Sequence, residues 1–108
     1  MKVLLDECVP RKLKHHFGNH EVSTVPIEGL AGLKNGQLLA SIVDLEFQVF
    51  VTVDKNILFQ QNIGLYPVII VVLDAQRSII DRLITLLDKF EEQLPGFEPG
   101  NLYIIKEE

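Results

Sequence analysis

The sequence predicts an α/β fold, a three-layer α/β/α domain on a mainly parallel sheet of four or five strands. Short β-rich runs alternate with amphipathic helical stretches, the pattern of repeated βαβ units. Two of those runs, Val49–Val53 and Val68–Leu73, are almost purely apolar, as in strands buried on both faces. The chain has 108 residues, 47% hydrophobic and 23% charged, the size and balance of one packed domain spanning residues 1–108.

Val3–Leu5 reads as a short buried strand that ends at Asp6-Glu7. Pro10 suits the start of a helix, Leu13 and Phe17 share one of its faces, and Gly18 stops it. Arg11, Lys12, Lys14 and His15 then fall on its outer surface. Glu21–Val25 alternates as a second strand that Pro26 ends, and residues 27–34 form a loop containing Gly29 and Gly32. Asn35-Gly36 opens a helix whose apolar face is Leu38, Leu39, Ile42 and Val43. After the third strand, Lys55–Asn62 reads as a short helix. The strongest helix runs from Ser78 to Leu94, with Ile79, Ile80, Leu83, Ile84, Leu87, Phe90 and Leu94 on one face. Pro95-Gly96 and Pro99-Gly100 break it, and Leu102–Ile105 is a last strand.

A single cysteine, Cys8, excludes an internal disulfide framework and fits a reducing compartment. No apolar run approaches bilayer-spanning length, and the opening MKVLLDE meets an acid before a signal-peptide core forms, so a cytoplasmic protein without a membrane partner is expected. The net charge of −5 argues against an unspecific nucleic-acid binder. That charge is uneven. Residues 1–20 carry four bases against two acids plus three histidines, whereas residues 74–108 carry eight acids against four bases.

In open parallel sheets, ligands bind beyond the carboxyl ends of strands where the strand order reverses. With the first strand between the second and the third, that crevice lies between the ends of strands one and three. Asp6 and Asp54 are the residues that follow those ends. Two carboxylates converging there repel unless a positive charge sits between them, and a hard divalent cation, Mg²⁺ or Mn²⁺, is the usual solution. Thr52 lies two residues before Asp54, so its hydroxyl faces the same side, and Glu7 offers a third carboxylate beside Asp6. The plainer alternative is that Asp54 caps the short helix after it and Asp6 is a solvated loop residue.

The strings LLDECVP, GLKNGQLL and VTVDKN resemble the PIN-like nuclease domain, in particular its short stand-alone members described as toxin components of toxin–antitoxin modules. The likeness covers residues 3 to about 73. It implies a metal-dependent endoribonuclease with Asp6 and Asp54 in its acidic cluster, single-stranded RNA as substrate and a small antitoxin protein as partner. The family's middle acid falls on Asn35. An amide supplies a ligand oxygen but no charge, so this departure implies weaker metal binding, recruitment of Glu7, or loss of catalysis. In a working site Arg11, Lys12 and Lys14 would hold the RNA backbone, unless they are an ordinary solvated helix face.

Two other classes compete. A receiver-like module would use Asp6-Glu7 as paired acids, Asp54 as phosphoacceptor and Lys106 as its lysine, but Asp74-Ala75 follows strand four where a hydroxyl residue is expected. A catalytically inactive PIN-like domain would bind a protein partner or self-associate as a homo-oligomer. Weaker signals favour structural roles. Cys8 lacks an orienting partner for a nucleophile, His15, His16 and His20 lack compact ligand spacing, and Gly29, Gly32 and Gly36 are too irregular for a phosphate loop. Gln60, Gln61 and Asn62 end a short helix as readily as they read a base, and Tyr66 and Tyr103 are too isolated for a stacking platform.

Overall fold

The computed structural model describes residues 1–59, 62–77 and 79–107, with side chains for all of these except Asn35, Leu58 and Phe59. Five strands form one sheet: β1 (Lys2–Leu5), β2 (Glu21–Thr24), β3 (Val49–Thr52), β4 (Ile69–Asp74) and β5 (Leu102–Lys106). Their order is β2-β1-β3-β4-β5 and every neighbouring pair is parallel, so β1 lies between β2 and β3 as expected. Two helices cross over the sheet, α1 (Asn35–Asp44) and α2 (Ile80–Gln93).

Successive strand residues point to opposite faces, and this alternation divides the core in two. Val3 and Leu5 of β1, Val49 and Val51 of β3, and Ile69, Val71 and Leu73 of β4 pack with Leu83, Leu86, Leu87 and Phe90 of α2. Leu4, Phe50 and Ile70 point the other way and pack with Leu39 and Ile42 of α1. The helices therefore cover opposite faces, which makes the three layers. Both apolar runs are central strands, with every residue of β3 and Val68–Leu73 buried. Among the described residues, no helix is long and apolar enough to cross a membrane.

The first crossover differs from expectation. In place of an α-helix it is a 3-10 segment, Arg11–His16, preceded by Pro10 at φ −56° and ψ 129°. The segment is confined between the extended Pro10 and the left-handed Gly18, which leaves room for only about two turns of helix. Gly18 then turns the chain at φ 63°, a left-handed conformation that favours glycine. Leu13 and Phe17 are buried as expected, and Phe17 meets Phe90 edge to face at 5.5 Å between centroids. His20 Nε2 adds a tie to Glu91 Oε1 at 2.8 Å.

Helix limits also shift. α2 begins at Ile80 and runs into a 3-10 turn, Leu94–Gly96; Ser78, its expected start, lies outside the described residues. Ile79 precedes the helix at its N-cap position, 49% exposed, and so leaves the apolar face assigned to it. Within the short helix expected over Lys55–Asn62 stands a 3-10 segment, Lys55–Phe59, and a second, Ile63–Leu65, follows that range; Gln60 and Gln61 lie outside the described residues.

Phe90 joins α2 to the first crossover beneath the sheet. Phe90→Ala should cost about 3–5 kcal/mol of unfolding free energy in a urea titration. A loss under ~1 kcal/mol would show that this core collapses around the missing ring.

Candidate functional site

Topology puts the site at the centre of the sheet's carboxyl edge. The chain leaves β1 for β2 on one side and later adds β3 on the other, with the two crossovers on opposite faces. The order thus reverses at β1, and a crevice opens between the ends of β1 and β3. Side-chain alternation chooses what fills it. Leu4 and Phe50 face α1, so Asp6 and Thr52, two residues further on, continue on that face, and Asp54 follows. Asp6 N–H donates to Val51 O at 2.9 Å, which extends the β1–β3 pairing up to the acid itself.

A cavity of about 310 Å³ occupies the crevice, and Asp6, Glu7, Asp54 and Lys34 all line it. Thr52 lies beneath, with no exposed surface. Its hydroxyl donates to Asp6 Oδ2 at 2.7 Å and accepts from the Asp54 N–H at 3.0 Å. One buried oxygen therefore ties the first acid to the backbone of the second. Glu7 N–H donates to Asp6 Oδ1 at 2.8 Å, and the Cys8 thiol donates to Asp6 Oδ2 at 3.4 Å. Asn56 N–H donates to Asp54 Oδ1 at 2.9 Å, so Asp54 also makes the capping bond that the plainer alternative assigned it. Asp6 is not merely solvated, because it is half-buried and accepts three hydrogen bonds.

The donor set suits a hard cation. Asp6 Oδ1 accepts one bond and so keeps a lone pair, and Asp54 Oδ2 accepts none from a described residue. Mg²⁺ retains several waters and is bound through one or two carboxylates plus substrate phosphates, so a pair of aspartates is a sufficient protein contribution. Among the described residues no three His, Cys, Asp or Glu side chains converge, so Glu7 lines the crevice without completing a three-acid cluster.

The other expected residues are distributed as follows. Asn35 opens α1, but the cap position belongs to Lys34, and the Asn35 side chain lies outside the described residues. Arg11, Lys12 and Lys14 do come together, with His15, around a second depression beside Thr24 at the end of β2. They do not line the crevice of Asp6 and Asp54. His20 is engaged by Glu91, and Asn62, at φ 69°, precedes the 3-10 turn Ile63–Leu65. Tyr66 packs its hydroxyl against Gly36, where an added Cβ would come within 2.9 Å.

Sequence reasoning missed Lys34 and undervalued Cys8. The available signal for Lys34 was its place immediately before a helix whose crossover begins over the switch point. Cys8 gains partners only through folding, which brings Thr52 Oγ1 to 3.4 Å from its sulfur. Burial chiefly pushes the Cys8 thiol above its ordinary pKa, and the neighbouring Asp6 charge adds to this; hydrogen bonding with Thr52 and with the Val53 backbone opposes it.

No protein-family model, curated protein or solved structure matches the chain. What the crevice can do follows from its own residues.

Two outcomes test this geometry. Thr52→Val keeps the side-chain shape but leaves the Asp54 N–H without its acceptor, so unfolding should lose about 1–3 kcal/mol, whereas Thr52→Ser should stay near the parent. A Thr52→Val variant as stable as the parent would show that the bridge adds nothing. For Cys8, only the thiolate reacts, so the raised pKa delays alkylation to higher pH. The iodoacetamide rate should climb at higher pH in the folded protein than in urea, and coincident profiles would remove the burial effect.

Proposed function

We propose that the chain is a divalent-cation-dependent ribonuclease acting on single-stranded RNA, with Asp6 and Asp54 holding Mg²⁺ or Mn²⁺. One observation carries the proposal: the two carboxylates open on a single cavity at the switch point, tied together through the buried Thr52 hydroxyl. This is also the chemistry implied by the resemblance to the PIN-like nuclease domain, and a small antitoxin protein is the partner that the same resemblance suggests.

A bound cation would supply an activated water and offset the charge that develops on a phosphodiester. The protein's own contribution is placement. Thr52 and the Glu7 N–H hold the Asp6 carboxylate, and the Asn56 N–H holds that of Asp54, so neither acid needs to reorganise on binding. Glu7 stands at the wall as a further acidic group. The basic depression formed by Arg11, Lys12 and Lys14 lies apart, where a strand leaving the crevice toward β2 would meet it.

Calorimetry with Mn²⁺ tests the proposal directly. The parent should bind, and Asp6→Asn and Asp54→Asn should each weaken binding about tenfold or more, because each removes a full charge beside the cation. Cleavage of single-stranded RNA should need Mn²⁺ or Mg²⁺, stop on chelation, and be lost in both variants. Equal Mn²⁺ binding by parent and variants would overturn the assignment, as would labelling of Asp54 by acetyl phosphate without any nuclease activity.

A further inference from the structure

We infer that the crevice takes one unstacked nucleotide of a single RNA strand, with Lys34 holding its phosphate and the wall of Leu33, Leu38 and Ile57 receiving its base. The inference rests on the ribonuclease reading above and adds the way in which the substrate is held. Among the described residues lining the cavity, Lys34 is the only cation facing three acids, Asp6, Glu7 and Asp54. Its ammonium pairs with none of them: the ion pairs of the described residues are His20–Glu91, Lys55–Asp74 and Arg82–Glu107. Lys34 is exposed and makes no side-chain hydrogen bond to a described residue, so binding an anion disrupts nothing. A phosphodiester entering a cavity lined by carboxylates brings a further negative charge, and a lysine acting as a point charge answers it.

The opposite character of the wall fixes the rest of the substrate. Leu33, Leu38 and Ile57 are half-buried, rooted in the core beneath α1, and present apolar surface to the same cavity. The volume of about 310 Å³ lies at the small end of ligand cavities, ~300–1,000 Å³, which suits a single nucleotide. In an A-form duplex the bases stay stacked and the deep groove is closed to side chains, so a recessed apolar wall meets only an unpaired base. The depression of Arg11, Lys12 and Lys14 lacks such a wall of leucines and lies outside this cavity.

Fluorescence anisotropy with a short phosphorothioate RNA in Mn²⁺ tests the inference. Lys34→Gln should weaken binding about tenfold and lower the salt slope by about 0.7, the value for one lost phosphate contact on a single strand. Lys34→Arg should restore both. A strand of abasic riboses, and a duplex of the same sequence, should each bind the parent at least as weakly as Lys34→Gln binds the intact strand. Mn²⁺ affinity in Lys34→Gln should equal or exceed the parent's, since the lost charge is positive. Unchanged affinity and slope in Lys34→Gln, equal binding of the abasic or duplex probe, or no RNA binding by the parent would each overturn the inference. The ribonuclease reading fails separately, through equal Mn²⁺ binding by the parent and Asp6→Asn.

Discussion

The parallel pairing of β1 with β3 is the constraint on which the rest of the molecule depends. Val3, Leu4 and Leu5 stand opposite Val49, Phe50 and Val51, so the two shortest central strands reach the carboxyl edge together. Because side chains alternate with period two, a slip of one residue would send Leu4 and Phe50 to different faces. The same slip would separate Asp6 from Thr52. The register that packs the two apolar layers is thus also the register that assembles the crevice. Stability and site geometry share this register, so a change that shifts the β1–β3 pairing disturbs both.

Within that frame, an uncharged group mediates between two charged ones. Thr52 is fully buried, yet its hydroxyl is satisfied as donor to Asp6 and acceptor from the Asp54 backbone. A buried hydroxyl without partners would be destabilising by a few kcal/mol, so its burial is tolerable only because both bonds form. The arrangement orients the acids without neutralising either. It leaves Asp6 Oδ1 and Asp54 Oδ2 with lone pairs that the proposed cation would use.

Three of the chain's acids, Asp6, Glu7 and Asp54, line the crevice at this edge. The net charge of −5 gives nucleic acid no general attraction, and the cations near the carboxyl edge stand at separate places: Lys34 in the crevice wall and Arg11, Lys12 and Lys14 in their own depression. Lys55, by contrast, is held by Asp74 at 2.7 Å across the ends of β3 and β4. Local placement, rather than total charge, would decide where the proposed RNA strand rests. The opposite end of the sheet holds a second cavity, where Met1, Phe47, Pro67 and Phe97 stand beside Glu46 and Gln48.

What the sequence determined by itself was whatever depends on local period and on end-of-strand position. The unbroken runs of β3 and β4 could only be strands covered on both faces, alternation with helices required parallel crossovers, and Asp6 and Asp54 followed strand ends. From those facts the place of β1 between β2 and β3, and a crevice shared by the ends of β1 and β3, were legible; the placing of β4 and β5 was not. Tertiary structure decided what depends on distance between remote segments. Between Pro10 and Gly18 the expected helix is the 3-10 segment Arg11–His16. Lys34 became part of the crevice because the β2–α1 loop descends beside it, and Cys8 acquired Thr52 as a neighbour across 44 positions of sequence. The basic residues Arg11, Lys12 and Lys14 went to a separate depression because their segment covers the α2 face, while the acids project on the α1 face. Local propensity fixes which way a side chain points within its own element; only packing decides which other side chains it meets.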